Sequence, residues 1–313
     1  MGADVIAVVG PTATGKSALA VALARALDGE VVSVDSMQIY RGMDVGTAKP
    51  TAEEMQGVPH HMIDVAEPWE AYSAARYARE AARCVEDIRA RGKWPVLAGG
   101  TGLYLDALLT GRTFADAPDP AVRQALRARL EAEGPEALHN ALAKIDPAAA
   151  ARLPVTDTRR VLRALEIYET TGETITEHDR RSLSTPPRYT AARIGLDFAD
   201  RTALWARIDR RVDEMMARGL PEEVRRLLAA GVPPDCTAMQ AIGYKELTAA
   251  VQGQAALDEA AATVKLRTRQ YAKRQRTWFR KTPETHWIYW SAAPDFSAAL
   301  RDSTDFLTRA GVR

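Results

Sequence analysis

Short apolar runs recur along the chain, each of a length that suits a buried strand. They are Val5-Ile6-Ala7-Val8-Val9, Glu30-Val31-Val32-Ser33-Val34, Met62-Ile63-Asp64-Val65, Trp94-Pro95-Val96-Leu97-Ala98, Ala192-Arg193-Ile194-Gly195-Leu196-Asp197-Phe198 and His286-Trp287-Ile288-Tyr289-Trp290. Between them lie longer Ala- and Leu-rich segments with charged positions three and four apart, which predicts helices over 18–27, 72–91, 204–218 and 263–281. A short helix is expected in the tail from Ser291. The alternation of the two kinds of segment predicts an α/β core with a parallel sheet. From about Ala115 to Pro187 the strands stop. Asp119-Pro120, Pro135 and Asp146-Pro147 each read as a helix start, and a fourth helix runs from Thr158 to Thr171 and stops at Gly172. Arg180, Arg181 and Arg188 follow in a Pro/Ser-rich stretch that reads as a loop. The chain therefore divides into 1–114, an all-helical insertion over 115–188, and a completion of the core over 189–313.

The first strand delivers Gly10-Pro11-Thr12-Ala13-Thr14-Gly15-Lys16-Ser17, a full G-x-x-x-x-G-K-[S/T] phosphate loop, and a helix follows at once. Gly10 and Gly15 permit backbone that would crowd a side chain. The loop amides of Thr12, Ala13 and Thr14 and the helix N-terminus point at an anion. Lys16 adds charge, and Ser17 offers a hydroxyl to Mg²⁺. The loop specifies a diphosphate or triphosphate; it does not specify ATP. Asp35 ends the second strand, where ligands of open sheets sit. Its position suits a general base, an outer ligand of Mg²⁺ or a turn cap. Gly99-Gly100-Thr101-Gly102 ends another strand on the same edge, with Thr101 as a donor. Arg207 and Arg211, four apart on one helix face, could clamp a phosphate or pair with Asp213 and Glu214.

Net charge is only +1, but it is unevenly spread. Lys265 to Lys281 contains eight cations and no acid. Arg269, Lys273, Arg276 and Arg280 share one helix face, and Arg267, Tyr271, Arg274 and Trp278 share another. Basic residues interleaved with aromatics suit a nucleic-acid backbone with stacked bases. The Arg159/Arg160 pair at a helix start adds a second basic point. Adjacent His60 and His61 point to opposite faces of an extended chain, which favours a structural role over a metal site. Two cysteines, no signal peptide and no apolar run of membrane length lead to the expectation of a cytoplasmic protein. On these features alone a nucleotide kinase or an RNA-binding switch remains open.

Seven motifs together resemble the bacterial tRNA dimethylallyltransferases. They are Gly10–Ser17, the run from Asp35-Ser36-Met37-Gln38 through Gly46-Thr47-Ala48-Lys49-Pro50, Gly57-Val58-Pro59-His60-His61, Gly99–Tyr104, Arg159–Glu166, Ala241–Glu246 and Thr268–Gln275. The resemblance is collinear and covers nearly the whole chain. It implies transfer of a dimethylallyl group from dimethylallyl diphosphate to N6 of the adenosine 3′ of the anticodon. It also implies a nucleotide-kinase-like core, a helical insertion gripping the anticodon stem-loop, and Mg²⁺ on Ser17; a monomer without membrane contact is expected. Carried onto this chain, Asp35, Ser17 and Thr101 are the expected catalytic residues. The diphosphate falls to Gly10, Thr12, Ala13, Thr14, Gly15, Lys16, Ser17, Arg207 and Arg211. The tRNA falls to Asp35, Ser36, Met37, Gln38, Thr101, Arg123, Arg159, Arg160, Val161, Leu162, Arg163, Gln240, Ile242, Gly243, Tyr244, Lys245, Arg269, Lys273, Arg274 and Arg276.

Overall fold

The computed structural model describes residues 2–111, 119–184, 186–291 and 293–312. In chain order the elements are β1 (Val5–Val9), α1 (Lys16–Ala26), β2 (Gly29–Val34), α2 (Ala52–Met55), β3 (His60–His61), α3 (Ala74–Ala90), β4 (Trp94–Gly99) and α4 (Gly102–Thr110). Then come α5 (Pro120–Ile145), α6 (Pro147–Arg152), α7 (Thr158–Thr171) and α8 (Ile175–Leu183). The chain ends with β5 (Ala191–Phe198), α9 (Arg201–Ala217), α10 (Leu220–Ala229), α11 (Tyr244–Val251), α12 (Leu257–Phe279), β6 (His286–Trp290) and α13 (Phe296–Arg309).

Two compact units result. Met1–Leu109 and Arg188–Arg313 form one, and Thr110–Pro187 forms the other. The 114/115 boundary expected from the sequence lies outside the described residues. The N–H groups of Arg188 and Tyr189 both donate to the Leu109 carbonyl, at 2.8 and 3.1 Å, so the first unit holds the start and end of the excursion together.

The first unit carries a six-stranded, wholly parallel sheet in the order β3-β2-β4-β1-β5-β6. Both of its faces are buried, as a parallel sheet requires. On β1, Val5, Ala7 and Val9 face the core that includes α3, α4 and α11, while Ile6 and Val8 face the core that includes α1 and α13. The register aligns Val8 with Ala98 and Val34 with Gly99. The loops after β1, β2 and β4 therefore leave the sheet side by side, and this alignment builds the site.

The second unit has its own small core of Leu126, Leu138, Leu142, Val161, Ala164 and Leu165. Asp119, Asp146 and Asp157 cap its helices through their side chains, and Gly134, at φ 83°, breaks α5 just before Pro135. The stretch carrying Arg180 and Arg181 is helix α8, not a loop. Thr174 and Glu177 form a reciprocal capping box at its start, a signal present in the sequence. The run Met62–Val65 is not a strand either. Met62 and Asp64 are left-handed, at φ 62° and 54°, and only His60–His61 joins the sheet. Helix α10, not expected from the sequence, brings a buried carboxylate to the first unit. Glu223, 3% exposed, accepts from the N–H groups of Asp44 and Val45 at 2.9 Å, from Gly46 at 3.1 Å, and from the Tyr244 hydroxyl.

Glu223→Ala leaves those donors unmet. It is expected to lower unfolding stability by about 3 kcal/mol or more, since each buried donor left unsatisfied costs roughly 1–3 kcal/mol. Urea titration followed by circular dichroism checks this; a loss under about 0.5 kcal/mol, typical of surface changes, would mean that the loop does not depend on Glu223.

Candidate active site

Gly10 can only be glycine. Its φ is 138°, and a Cβ there would lie 2.2 Å from the Leu196 carbonyl. That close approach lets the loop turn over the end of β1. Gly15, left-handed at φ 88°, precedes α1 without a side-chain cap, so the first amides of the helix are left for an anion. The loop is braced from within and from outside. Thr14 donates to the Pro11 carbonyl at 2.9 Å, and the Trp290 indole donates to the Thr14 carbonyl at 2.9 Å. The Lys16 ammonium donates to the Pro11 carbonyl at 2.7 Å.

Positive charge is crowded here. Arg207 donates to the Ala13 carbonyl at 3.1 Å, and Arg211 lies 3.5 Å from the Thr12 hydroxyl. The helix pair thus reaches the loop, while Asp213 is paired with Lys265. Burial, then repulsion from Arg211, holds Lys16 down to about 7, against the opposing pull of Asp35. Arg211 is lowered too, chiefly by burial.

Two cavities meet beside the loop. One, of about 530 Å³, is polar and is lined by Lys16, Ser17, Arg207, Arg210 and Arg211. The other, of about 290 Å³, is largely apolar, with Met37, Ile208, Val212, Leu220 and Ile242 in its wall. Thr12, Asp35, Thr47, Arg211, Met215 and Tyr271 line both. One oxygen of Asp35 caps the following turn by accepting from the N–H groups of Met37 at 2.9 Å and Gln38 at 3.4 Å. The carboxylate thus caps a turn and borders the junction of the cavities at once.

Ser36, Gln240 and Gly243 join Met37 and Ile242 in the apolar cavity wall, and Arg274 stands at its rim with its guanidinium 5.6 Å from the Tyr271 ring centre. Lys245 is exposed outside both cavities. Several expected contacts are placed otherwise. The Gln38 amide is committed: it accepts from the Ser33 hydroxyl at 2.9 Å and donates to the carbonyls of Thr47 and Ala48 at 3.3 Å each, so it holds that loop. Thr101 lines neither cavity. Its hydroxyl accepts from the Ser36 N–H at 3.0 Å and fastens the Asp35 turn. Tyr244 is fully buried on Glu223, and Val161 is 1% exposed inside the second unit's core, with Leu162 packed against it. Neither Tyr244 nor Val161 is open to a ligand in this structure.

The basic helix also needs correction. Arg269 pairs with Asp209, and Arg276 and Arg280 share buried Asp197. The acids absent from Lys265–Lys281 come from α9 and β5, which that stretch's own sequence cannot reveal. Lys273 and Arg274 remain exposed. In the second unit, Arg123 and Arg163 pair with buried Glu166, while Arg159 and Arg160 are exposed at the start of α7. His61 pairs with Glu30 at 2.7 Å, His60 meets the Val58 carbonyl at 2.8 Å, and no metal-binding cluster of His, Cys, Asp or Glu occurs among the described residues. Sequence reasoning missed Met215 and Gln275 as site residues and placed Tyr271 only on a basic face. Tyr271 and Gln275 lie within the Thr268–Gln275 motif, four residues apart, but the motif gave neither a role at the site.

The family model for IPP transferase matches residues 38–282. The chain is 49% identical over 302 residues to the tRNA dimethylallyltransferase of Thermomicrobium roseum, covering 96% of this chain and 90% of that one. Against the tRNA dimethylallyltransferase of Geobacillus thermodenitrificans it is 47% identical, over 95% and 94% of the two chains. The crystal structure of a full-length tRNA isopentenylpyrophosphate transferase from Bacillus halodurans superposes with a TM-score of 0.72 at 42% identity, covering 98% of this chain and 97% of that chain. A eukaryotic dimethylallyltransferase acting on tRNA superposes at 0.82 with 30% identity, covering 97% of this chain and 79% of that chain.

An anion in the loop favours charged Lys16. Binding of inorganic diphosphate should therefore take up protons on Lys16 above pH 7, and this contribution to affinity should weaken as pH rises through about 7. Lys16→Arg, which stays charged, is expected to remove that uptake. Calorimetry at pH 8 in buffers of differing ionisation enthalpy measures it; equal proton uptake by both proteins would remove Lys16 as its source.

Proposed function

The chain belongs to the IPP transferase family, and on that footing we propose that it is a tRNA dimethylallyltransferase. It transfers a dimethylallyl group from dimethylallyl diphosphate to N6 of the adenosine 3′-adjacent to the anticodon in tRNA, releasing diphosphate. The observation that carries the site assignment is Asp35, which borders both a cationic cavity and an apolar one. The diphosphate occupies the cationic cavity, on the loop amides, Lys16, Arg207 and Arg211. The allylic carbon and the adenine meet at the junction.

Adenine N6 is a weak nucleophile. It attacks C1 of the dimethylallyl group as the C1–O bond breaks and the electron pair leaves with the diphosphate. The proton lost from N6 passes to Asp35. The fixed cations stabilise the charge that develops on the departing oxygen. The Ser17 hydroxyl, exposed on the polar cavity, is a hard oxygen donor that fits Mg²⁺, which takes few protein ligands beside phosphate oxygens. Bound there, Mg²⁺ would supply further neutralisation of the leaving group. Thr101 positions the Asp35 turn. The acceptor base must leave its stack, at a cost of about a few kcal/mol. Lys273 and Arg274, with Arg159 and Arg160 of the second unit, contact the tRNA backbone. No helix among the described residues is long and apolar enough to cross a membrane. We assign the reaction to the cytoplasm and to a monomer.

Incubation with radiolabelled dimethylallyl diphosphate and unmodified tRNA is expected to label the RNA; label confined to water-soluble small products would defeat the assignment. Asp35→Ala should lower turnover by at least ~100-fold, the low end for loss of a general base, and a change of only a few-fold with tRNA still bound would exclude that role. Neutralising Lys273 and Arg274 together should weaken tRNA binding and flatten its logarithmic salt dependence by about one to two units. An unaltered slope would mean that this helix makes no backbone contacts.

A further inference from the structure

Gln275 has no role in the chemistry above, yet it is 5% exposed and both ends of its side-chain amide are hydrogen-bonded. Its oxygen accepts from the Thr12 N–H of the phosphate loop at 2.9 Å. Its nitrogen donates to the Gly100 carbonyl, in the loop after β4, at 2.9 Å. A buried amide is tolerated only when both ends are satisfied, so this geometry fixes the distance between two loops that leave neighbouring strands. Gly100 is part of the arrangement: a Cβ there would lie 2.1 Å from the Gln275 nitrogen.

The same helix face continues toward the apolar cavity. Tyr271 is one turn earlier and borders both cavities, and Arg274 stands at the rim of the apolar one. The residue after Gly100 is Thr101, whose hydroxyl holds the Asp35 turn through the Ser36 N–H. Two sets of hydrogen bonds, joined by the Gly100–Thr101 backbone, thus link the phosphate loop through Gln275 to the turn that carries Asp35. A branch along α12 reaches the wall of the apolar cavity.

We infer that Gln275 is a positioning residue that couples the two substrate sites: it sets the phosphate loop, the Asp35 turn and the apolar cavity wall in one mutual arrangement. Its side chain borders the polar cavity but acts through the two loops it joins, not on the reacting atoms. The inference rests on the assignment of diphosphate to the polar cavity and of the acceptor base to the apolar one. Occupation of the apolar cavity moves or steadies α12, and through Gln275 this changes the affinity of the loop for diphosphate. The reverse effect has equal size, because coupling between sites is reciprocal.

The test measures the dissociation constant of inorganic diphosphate with and without a saturating anticodon stem-loop RNA that carries the acceptor adenosine. For the unmodified protein the ratio should be at least about 5-fold, the low end of coupling between sites. In Gln275→Met, similar in length but without the amide, the ratio should fall to near one. Turnover should drop at least ~10-fold, because small misplacements of reacting groups are costly, while KM for the RNA stays within about 3-fold. Gly100→Ala, which keeps the amide but crowds it, should reproduce the loss of coupling. Should either variant melt before the assay temperature, Gln275→Glu serves: it keeps an acceptor for Thr12, loses the donor to Gly100, and should give an intermediate ratio. A ratio near one in the unmodified protein, or an undiminished ratio in the folded variants, overturns the role of Gln275. Unmodified protein that labels no RNA overturns the functional assignment instead, and the two failures are read in separate assays.

Discussion

Crowded positive charge at the end of a parallel sheet is the constraint around which the first unit is built. Lys16, Arg207 and Arg211 converge on one short loop, and burial, reinforced by repulsion from Arg211, brings Lys16 down to about 7. Asp35 offsets part of this charge, with Glu54 and Glu214 nearby, and one of its oxygens already caps a turn. Such a site is relieved by a dianionic group, and it holds its shape without one only if its loops are braced elsewhere. The bracing is visible in the Trp290 indole on Thr14, the Pro11 carbonyl that receives Lys16, and the glycine at position 10 pressed against Leu196.

Much of that bracing consists of buried polar side chains at a distance from the chemistry. Glu223 gathers three successive amides of the loop over Asp44–Gly46. Asp197, fully buried at the end of β5, holds Arg276 and Arg280 and so fixes α12 against the sheet. Each of these groups would be unfavourable if left alone in a desolvated place and is tolerated because its partners are fixed. Such interactions confer a single arrangement on loops that packing alone would leave adjustable. The apolar cavity gains its shape from the same framework, since Gly46 and Thr47 in its wall belong to the loop that Glu223 and Gln38 hold.

The sheet was legible in the sequence because its signal is local. Five of the six strands coincide with apolar runs, and the phosphate loop, Asp35 and the second Gly-rich loop lie at strand ends where a parallel sheet exposes them. The helical stretch was legible through its Asp-Pro starts and Gly172. Two errors were local as well: the Thr174–Glu177 box marked α8, and left-handed Met62 and Asp64 cut short a run whose hydropathy suited a strand. The remaining differences were not local. The acids that neutralise Arg269 and Arg276 lie 60 and 79 residues away along the chain, so the charge pattern of α12 read by itself overstated its free basic surface. Tyr244 and Val161 sit within motifs that read as functional, yet both are core residues, and short motifs do not separate a residue that touches a ligand from one that supports its neighbours.

The shared carbonyl of Leu109 has a consequence for how such a protein can change over evolutionary time. Because Arg188 and Tyr189 return to the acceptor from which residue 110 departs, the sheet experiences the intervening stretch as a closed stitch of almost no span. Its length and sequence can drift, or be exchanged for another fold, without pulling on the strands. Diversification of that module is thereby insulated mechanically from the strands, and is held back only by the RNA contacts proposed for Arg159 and Arg160.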